Sequence, residues 1–315
     1  MKIQSNKAKQ LIILSGKGGT GKTSITSAFA HLSTVQGISV PSVFVDADVD
    51  AANLSLVIQP NIQAPNEFWG GSLAVINPDG CVNCGACIPV CRYDAIFSDP
   101  QGAPVQWIDP IACDGCAACV YACPEDAIRM VQQQEGNWFH SESLYGSLFH
   151  AELFPGRENS GKLVTLIKQQ ARLFASENHL PLMIIDGPPG IGCPVISACA
   201  GADLGLIVTE PSLAGIHDMK RVLGTLRHFH VPVIICINKA DIYPEGTVLI
   251  QEFAEAEGIE LVGMIPYDEN IPRSMIDGKP ITLAFPETPA AVAIKNVWQK
   301  TKRILQPPEG ASWIN

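Results

Sequence analysis

The sequence has no long uninterrupted hydrophobic run. Two long stretches without Asp, Glu, Lys or Arg, residues 23–45 and 187–202, are interrupted by Gly, Pro, Ser or Thr, so neither is typical of a membrane span. Near the N-terminus only residues 11–14 form an apolar core, which is too short for a signal peptide. We therefore expect a soluble, cytoplasmic protein without a membrane span.

Basic residues are also few. The 315 residues contain 21 Lys and Arg against 31 Asp and Glu, a formal net charge of -10. Such a chain is repelled by a polyphosphate backbone, which argues against nucleic-acid binding. Residues 61–150 contain ten acidic and two basic residues and therefore carry -8 of the total. This distribution predicts that an acidic module is inserted into a nearly neutral one.

Hydrophobic runs alternate with helix-length segments on both sides of the acidic stretch. The pattern predicts a helix over residues 22–36 and strands over residues 11–14, 43–46, 182–185, 204–208, 233–237 and 261–265. This alternation is typical of an α/β fold with a doubly wound, mostly parallel sheet. We predict a discontinuous domain of residues 1–60 and 151–315, with residues 61–150 as an inserted small α+β domain.

The acidic stretch contains an internal repeat of 32 residues. Four cysteines spaced C-x2-C-x2-C-x3-C occur twice, as Cys81, Cys84, Cys87 and Cys91 and as Cys113, Cys116, Cys119 and Cys123. Because cytosolic thiols are kept reduced, such a pattern favours metal ligation over disulfides. Three thiolates on a short loop suit a cubane cluster. Structural zinc is the alternative, although it usually takes two separated C-x-x-C pairs.

The duplicated run, with Pro124 after its last cysteine, resembles the bacterial two-cluster ferredoxins, in which the fourth cysteine of each run ligates the other cluster. The resemblance implies one [4Fe-4S] cluster on Cys81, Cys84, Cys87 and Cys123, and a second on Cys113, Cys116, Cys119 and Cys91. Arg92 departs from the ferredoxin pattern, because it stands where the second run has Pro124. We expect this difference to affect the local turn and the potential of the adjacent cluster rather than ligation.

A glycine-rich loop, GKGGTGKT at residues 16–23, lies between a predicted strand and a predicted helix. It matches G-x-x-x-x-G-K-[ST], in which backbone N–H groups cradle phosphates, the lysine reaches the β and γ phosphates and the hydroxyl binds Mg2+. Asp186 ends an apolar strand, where a carboxylate can hold Mg2+ through water. The predicted nucleotide-binding residues of the loop are Gly16, Lys17, Gly18, Gly19, Thr20, Gly21, Lys22, Thr23 and Ser24, with Thr23 and Asp186 serving Mg2+.

The second lysine of this loop, Lys17, together with DADVD at residues 46–50 and IIDGPPG at residues 184–190, resembles the deviant-Walker-A ATPases. That class includes MinD, ParA, the Mrp-type iron-sulfur carriers and the nitrogenase iron protein. The resemblance implies that Lys17 reaches the nucleotide of a dimer partner. It also implies that Asp48 orients the attacking water and that Asp46 supports the magnesium shell. Lys17, Lys22, Asp48 and Asp186 are therefore the expected catalytic residues.

The same resemblance implies which residues surround the base, and it draws attention to one further cysteine, Cys193. Asn238 in INKAD would read adenine, with Pro266 in IPYD beside it. NKAD is also similar to the guanine motif of GTPases, so Asp241 keeps GTP as an alternative. Cys193 stands where the nitrogenase iron protein places one ligand of its bridging cluster. Residues 159–161 lack the second cysteine, so a bridging cluster is not expected.

Together the two resemblances point to the MinD-superfamily ATPases that carry an inserted ferredoxin domain. They imply a homodimer, or a heterodimer with a related ATPase, in which ATP gates electron transfer from the two clusters to a partner with a basic docking face. An ATP-dependent assembly or carrier factor for a cluster or metal is the alternative. Eight cysteines in two complete sets favour electron transfer, because a carrier needs labile ligation. Spatial positioning in the manner of MinD does not explain the cysteines.

Overall fold

The computed structural model describes residues 7–98, 105–157 and 160–305, and it divides into two compact units. Of the described residues, the first unit contains 7–66, 138–152 and 160–305, and the second contains 67–98, 105–137 and 153–157. None of the described helices combines the length and apolar character needed to cross a bilayer.

The secondary structure alternates between strands and helices outside the second unit. The strands are β1 (Lys9–Ser15), β2 (Ser42–Asp46), β3 (Asn66–Ile76), β4 (Ile96–Ser98), β5 (Gln106–Ile108), β6 (Ile128–Ser143), β7 (Gly146–Leu153), β8 (Leu182–Pro189), β9 (Leu204–Thr209), β10 (Val233–Asn238) and β11 (Glu260–Ile265). The helices are α1 (Lys22–Leu32), α2 (Leu54–Ile58), α3 (Ala118–Ala122), α4 (Ser160–Glu177), α5 (Cys193–Cys199), α6 (Leu213–His228), α7 (Pro244–Ala256), α8 (Asn270–Ile276), α9 (Ile281–Ala284) and α10 (Pro289–Leu305).

The first unit is built on a sheet with β1 at its centre. The strand order is β11-β10-β9-β1-β8-β2-β7, followed by the last part of β6. The six pairings from β11 to β7 are parallel. Leu11 of β1 lies opposite Ile184 of β8 and Leu204 of β9. The predicted strands and the mostly parallel α/β sheet are therefore confirmed.

Helices cover this sheet with apolar side chains. Phe29 of α1 and Trp298 of α10 are fully buried, and their ring centroids lie 5.0 Å apart. The predicted helix over residues 22–36 is too long, because α1 ends at Leu32. Its end is fixed by the Ser33 hydroxyl, which donates to the carbonyl of Ala30 at 2.7 Å. Such side-chain bonds to the backbone compete with a further helical turn.

The second unit repeats one arrangement twice. In each half one strand precedes the cysteine run and a second strand follows it. The two second strands begin at Ile96 and at Ile128, which are 32 residues apart. The end of β3 and the whole of β5 are related by the same offset, and β4 pairs antiparallel with β5. Its small core consists of the buried residues Ala74, Cys87, Ile96, Cys119 and Ile128. The cysteines are thus part of the packing of this unit.

The bounds of the second unit differ from the predicted insert of residues 61–150. Residues 138–152 belong to the first unit, because β7 pairs in parallel with β2 and brings Leu148 opposite Phe44. Leu148 is fully buried in the main core. The sequence between the cysteine repeat and the next helix therefore contributes a strand to the large sheet.

Burial of His150 predicts a pH dependence of stability. His150 is 6% exposed, its Nε2 lies 3.0 Å from the Ser141 hydroxyl, and burial lowers its pKa to about 4. Since the unfolded chain takes up this proton near pH 6.5 and the folded chain does not, stability is lost as the pH falls below 6.5. Between pH 7.5 and 5 the wild type should lose about 2 kcal/mol relative to His150→Gln.

Urea unfolding of both proteins at the two pH values measures this difference, in which the titration of other groups cancels. Equal losses in the two proteins would contradict the assignment to His150.

Candidate functional site

Asn238, the last residue of β10, supports the glycine-rich loop by a hydrogen bond. Asn238 Nδ2 donates to the carbonyl of Thr20 at 2.8 Å. A Cβ at Gly21, whose φ is +94, would lie 2.4 Å from that same Nδ2. Only glycine fits both this backbone conformation and this approach. Asn238, predicted to read the base, is thus seen supporting the loop, a role that the sequence interpretation missed.

Lys22 is buried beneath the loop. Its side chain donates to the hydroxyl of Ser15 at 2.9 Å, and the residue is 6% exposed. Burial lowers the pKa of Lys22, while the carboxylates of Asp186, Asp48 and Asp46 oppose the shift. A cation held among acidic groups in a low-dielectric setting is available for a phosphate, with which it forms a charge-assisted bond.

Asp186 was predicted to end its strand, but β8 continues for three residues beyond it, to Pro189. The Asp186 carboxylate receives two hydroxyl donors from α1. Thr23 donates to Oδ2 at 2.7 Å and Thr26 donates to Oδ1 at 3.0 Å. Burial raises the pKa of Asp186 to about 6. Thr23 and Asp186, the predicted magnesium residues, are therefore in direct contact. Thr26 was not predicted, although its position one helical turn after Thr23 is a signal present in the sequence.

Asp46, at the end of β2, lies opposite Asp186 in the sheet. Its carboxylate is fully buried and accepts the backbone N–H groups of Asp48 at 3.2 Å and Leu54 at 3.0 Å. Burial and the neighbouring Asp186 raise its pKa well above the usual range. Asp46 therefore fixes the segment that carries Asp48. The pKa of Asp48 is also raised, mainly by burial.

A cleft of about 1000 Å³ opens beside the loop. It brings the loop residues and Asp48 together with an apolar wall formed by Leu56, Val57, Pro188, Pro189, Pro194, Met275 and Ile276. The predicted residues that are not part of the described cleft lining are Gly16, Lys17, Thr20, Asp46, Asp186, Asn238 and Pro266. The Asp241 carboxylate accepts the backbone N–H of Tyr267 at 2.7 Å.

Lys17 is the second residue of the loop. Its ammonium pairs with Glu210 at 2.9 Å, and Lys239 pairs with the second oxygen of the same carboxylate. Burial alone would raise the pKa of Glu210, but the hydrogen bonds and charges of Lys239 and Lys17 hold that pKa below its usual value. Glu210 was not predicted. Its position directly after a buried strand, at the loop edge of the sheet, is the available signal.

Two cavities in the second unit are each surrounded by four cysteines. One, with about 330 Å³ of empty space partly open to solvent, is lined by Cys81, Cys84, Cys87 and Cys123. The other, with about 320 Å³, is lined by Cys91, Cys113, Cys116 and Cys119. Each set therefore combines the first three cysteines of one run with the last cysteine of the other. No described group of three or more His, Cys, Asp or Glu is arranged to hold a metal ion.

Backbone conformation around the cavities repeats with the sequence. The backbone N–H groups of Ala95 and Ala127, 32 residues apart, each lie 3.3 Å from a cysteine sulfur, that of Cys91 and that of Cys123. Gly85 and Ala117, related by the same offset, have φ of +74 and +63. Left-handed backbone is unusual for alanine. The loop conformation is thus maintained even where glycine is absent.

The three remaining cysteines are separate from these cavities. Cys199 and Cys236 are fully buried, and burial raises their pKa to about 11 and about 12. Cys193 is exposed at the start of α5. Residue 159, considered above for a bridging cluster, lies outside the described residues.

Comparisons with known proteins match stretches of the chain that include both units. A family model for the CobQ/CobB/MinD/ParA nucleotide binding domain matches residues 11–281. A protein of Methanocaldococcus jannaschii described as uncharacterized is 34% identical over 94% of this chain and 97% of its own length. An iron-sulfur cluster carrier protein of Aquifex aeolicus is 26% identical over 42% of this chain and 40% of its own. The solved MinD of Pyrococcus horikoshii with Mg-ADP shares the fold, with a TM-score of 0.58 and 18% identity over 94% of this chain and 97% of that one.

The buried ammonium of Lys22 predicts the largest loss of nucleotide affinity. Lys22→Ala removes a charge-assisted bond to phosphate and should weaken ATP binding about 100-fold, as measured by isothermal titration calorimetry. Lys9→Ala is the matched control, since Lys9 begins β1, the strand that leads into the loop, and its ammonium pairs with Asp203 at 3.1 Å. The control should bind ATP like the parent. Equal affinity of Lys22→Ala and the parent would contradict the assignment.

Proposed function

Since the chain belongs to the CobQ/CobB/MinD/ParA nucleotide-binding family and is an ATPase of this family, we propose that ATP-dependent dimerisation gates electron transfer through two [4Fe-4S] clusters to a partner protein. The observation that carries this proposal is the pair of four-cysteine cavities, each drawn from both cysteine runs. A phosphate-binding loop and two such cavities in one chain join nucleotide turnover to redox chemistry.

The first step uses the residues around the cleft. Lys22 binds the β and γ phosphates, while backbone N–H groups of residues 18–23 surround them. Thr23 and Asp186 would hold Mg2+, the oxygen donor set that this ion prefers. Asp48, which lines the cleft, orients a water molecule. The oxygen of this water bonds to the γ-phosphorus as the bond between that phosphorus and the bridging oxygen of ADP breaks, and the proton of the water passes to the released phosphate.

On the strength of the resemblance alone, Asn238 and Pro266 are proposed to contact the base, and ATP is the proposed nucleotide. The carboxylate of Asp241 is occupied by the backbone N–H of Tyr267. A carboxylate engaged in this way is a weaker candidate for reading guanine, which supports ATP over GTP.

Lys17 is proposed to act on the nucleotide of the partner protomer. Within one protomer its ammonium is paired with Glu210, and its side chain is 40% exposed. To reach another protomer, Lys17 must exchange this carboxylate for a phosphate. Because both are anions, the exchange leaves the lysine charge compensated, and Lys239 remains to neutralise Glu210.

The cysteine cavities fit [4Fe-4S] clusters by their donor set. Cys81, Cys84, Cys87 and Cys123 would hold the first cluster, and Cys113, Cys116, Cys119 and Cys91 the second. The N–H groups of Ala95 and Ala127 already donate to cysteine sulfurs, as expected where thiolate is to be stabilised. Once bound, the clusters would supply one-electron redox chemistry. Zinc is less suitable, because the ligands of one site come from a single tight loop and a distant fourth cysteine.

A route for nucleotide sensing is present within the first unit. Pro194 at the start of α5 lines the cleft. The ammonium of Lys168, on α4, donates to the carbonyls of Ser197, Ala198 and Ala200 at the end of α5. A Cβ at Gly161 of α4 would lie 3.1 Å from the Ser197 hydroxyl. A shift of α5 on ATP binding would therefore move α4, and α4 follows the second unit directly in the chain.

The partner is proposed to present a basic face. The second unit, residues 67–137 and 153–159, contains ten acidic and three basic residues and so carries -7 of the formal charge of -10. It would therefore attract a cationic surface, and docking would weaken with salt. A carrier or assembly role is the second candidate, because the chain is similar over 42% of its length to an iron-sulfur cluster carrier protein.

Cluster content is the first test. Protein purified without oxygen should contain about eight iron and eight sulfide per chain, as two cubanes require. Cys123→Ser should lose the cluster of Cys81, Cys84 and Cys87 and halve the iron content, because the cavity places Cys123 with these three. Cys193→Ser, an exposed cysteine outside the cavities, is the matched control and should keep both clusters.

Iron and sulfide assays with electron paramagnetic resonance measure these contents. Stoichiometric zinc without sulfide would remove the cluster proposal. Loss of the other cluster in Cys123→Ser would contradict the crossed ligand sets.

Gating is tested by reducing the protein and following its reoxidation by cytochrome c, a basic one-electron acceptor, with ATP or ADP. The rates should differ about fivefold or more, the scale of ordinary coupling between two sites. Lys17→Ala should bind ATP but show equal rates with ATP and ADP, since it lacks the contact across the dimer. Iron should stay on the protein throughout.

Stoichiometric transfer of iron to an apo-ferredoxin, with no nucleotide effect on reoxidation, would instead establish the carrier role. A parent-like rate difference in Lys17→Ala would contradict the proposed action of this lysine on the partner.

A further inference from the structure

The two cysteine cavities differ at one buried position. Gln106, the first residue of β5, lines the cavity of Cys81 and its three companions. The residue 32 positions earlier is Ala74, which lines the other cavity. Gln106 is 7% exposed and Ala74 is 4% exposed. One cavity therefore has a carboxamide where the other has only a methyl group.

Among the described residues, only the nitrogen of the Gln106 carboxamide has a hydrogen-bond partner. Its Nε2 donates to Oδ1 of Asn83, in the loop between Cys81 and Cys84. Its Oε1 is buried and has no hydrogen-bond partner among the described residues. A buried polar atom without a partner is destabilising, and in native proteins such atoms have a specific reason. Here the reason would be a group that enters the cavity.

Rotating the side-chain amides of Gln106 and Asn83 by 180° exchanges the positions of the oxygen and the nitrogen in each amide. When Gln106 and Asn83 both rotate about their last side-chain bond, Asn83 Nδ2 donates to Gln106 Oε1 and the mutual hydrogen bond is kept. The N–H of Gln106 then occupies the unpartnered position. A donor there is favoured over a carbonyl oxygen, because thiolate and sulfide sulfurs carry negative charge and accept hydrogen bonds.

Most other influences on the two cavities are matched. Arg92 follows Cys91 of the second set where Pro124 follows Cys123 of the first, but Arg92 is exposed, so solvent screens its charge. Each set of cysteines receives one backbone N–H at 3.3 Å, from Ala127 in one case and Ala95 in the other. Each cavity is also lined by one exposed carboxylate, Glu125 or Asp114. Tyr93 lines the second cavity only, but it is 48% exposed, so water competes for its hydrogen bonds. Gln106 is the buried polar group that distinguishes the cavities.

We propose that Gln106 donates an N–H···S hydrogen bond to the cluster held by Cys81, Cys84, Cys87 and Cys123 and gives it the higher reduction potential of the two. A hydrogen bond to sulfur stabilises the more negative, reduced state. The first electron taken up therefore resides on this cluster. Gln106 is a tuning residue that transfers no electron itself. The inference rests on the proposed function, since it requires both clusters.

The experiment is a redox titration of the full-length protein, purified without oxygen and followed by electron paramagnetic resonance. The wild type should show two transitions. Gln106→Met should move the higher transition to a more negative potential and leave the lower one in place. Gln132→Met, the same change at an exposed position of the second unit, should move neither.

Unmoved transitions in Gln106→Met, or movement of the lower one, would overturn the assignment. If that variant loses iron, electron-nuclear double resonance on singly reduced wild type, grown with side-chain 15N-glutamine, decides in its place. A 15N coupling from an amide near the reduced cluster supports the hydrogen bond, and its absence overturns it. Wild-type protein without iron and sulfide overturns the proposed function as well, whereas two clusters with unmoved potentials overturn only the role of Gln106.

Discussion

The neutralisation of buried charge at the carboxyl edge of the large sheet governs the first unit. Lys22, Asp46 and Asp186 are each less than 7% exposed, and isolated buried charges of this kind are strongly unfavourable. The arrangement is tolerated because the ammonium faces acidic groups and both carboxylates receive hydrogen bonds from α1 or from backbone N–H groups. Any rearrangement of the loop must keep this compensation, which is what a bound phosphate with its cation would do.

A similar constraint extends to Lys17. Its pairing with Glu210 keeps a second loop cation neutralised within one protomer. Lys239 shares the same carboxylate and also lies 3.4 Å from the carbonyl of Gly19. The loop therefore carries two cations, Lys22, which is buried, and Lys17, whose ion pair with Glu210 can be exchanged. This difference in burial separates a residue that binds phosphate in the same protomer from one that can be exchanged to another.

The sequence predicted the parts of the site that depend on local pattern. The loop at residues 16–23, the strands that lead into it and the contact of Thr23 with Asp186 follow from spacing and hydrophobicity. Glu210, Thr26 and the loop-supporting contact of Asn238 did not, because each depends on which strand ends meet across the sheet. The end of α1 at Leu32 was also missed, since the bond from Ser33 to the backbone competes with helix formation. The strand β7 was not predicted, because its partner β2 lies about a hundred residues earlier in the chain.

Duplication explains both the regularity and the asymmetry of the second unit. The repeat of 32 residues preserves the cysteines, the left-handed residues and the N–H donors to sulfur, because these define the shape of each cavity. Positions such as 74 and 106 line the cavities without defining their backbone, so they are free to differ. Two cavities of common geometry can thereby acquire different electrostatic surroundings. Under the proposed function, that difference would give electron transfer a direction that the symmetric backbone alone would not.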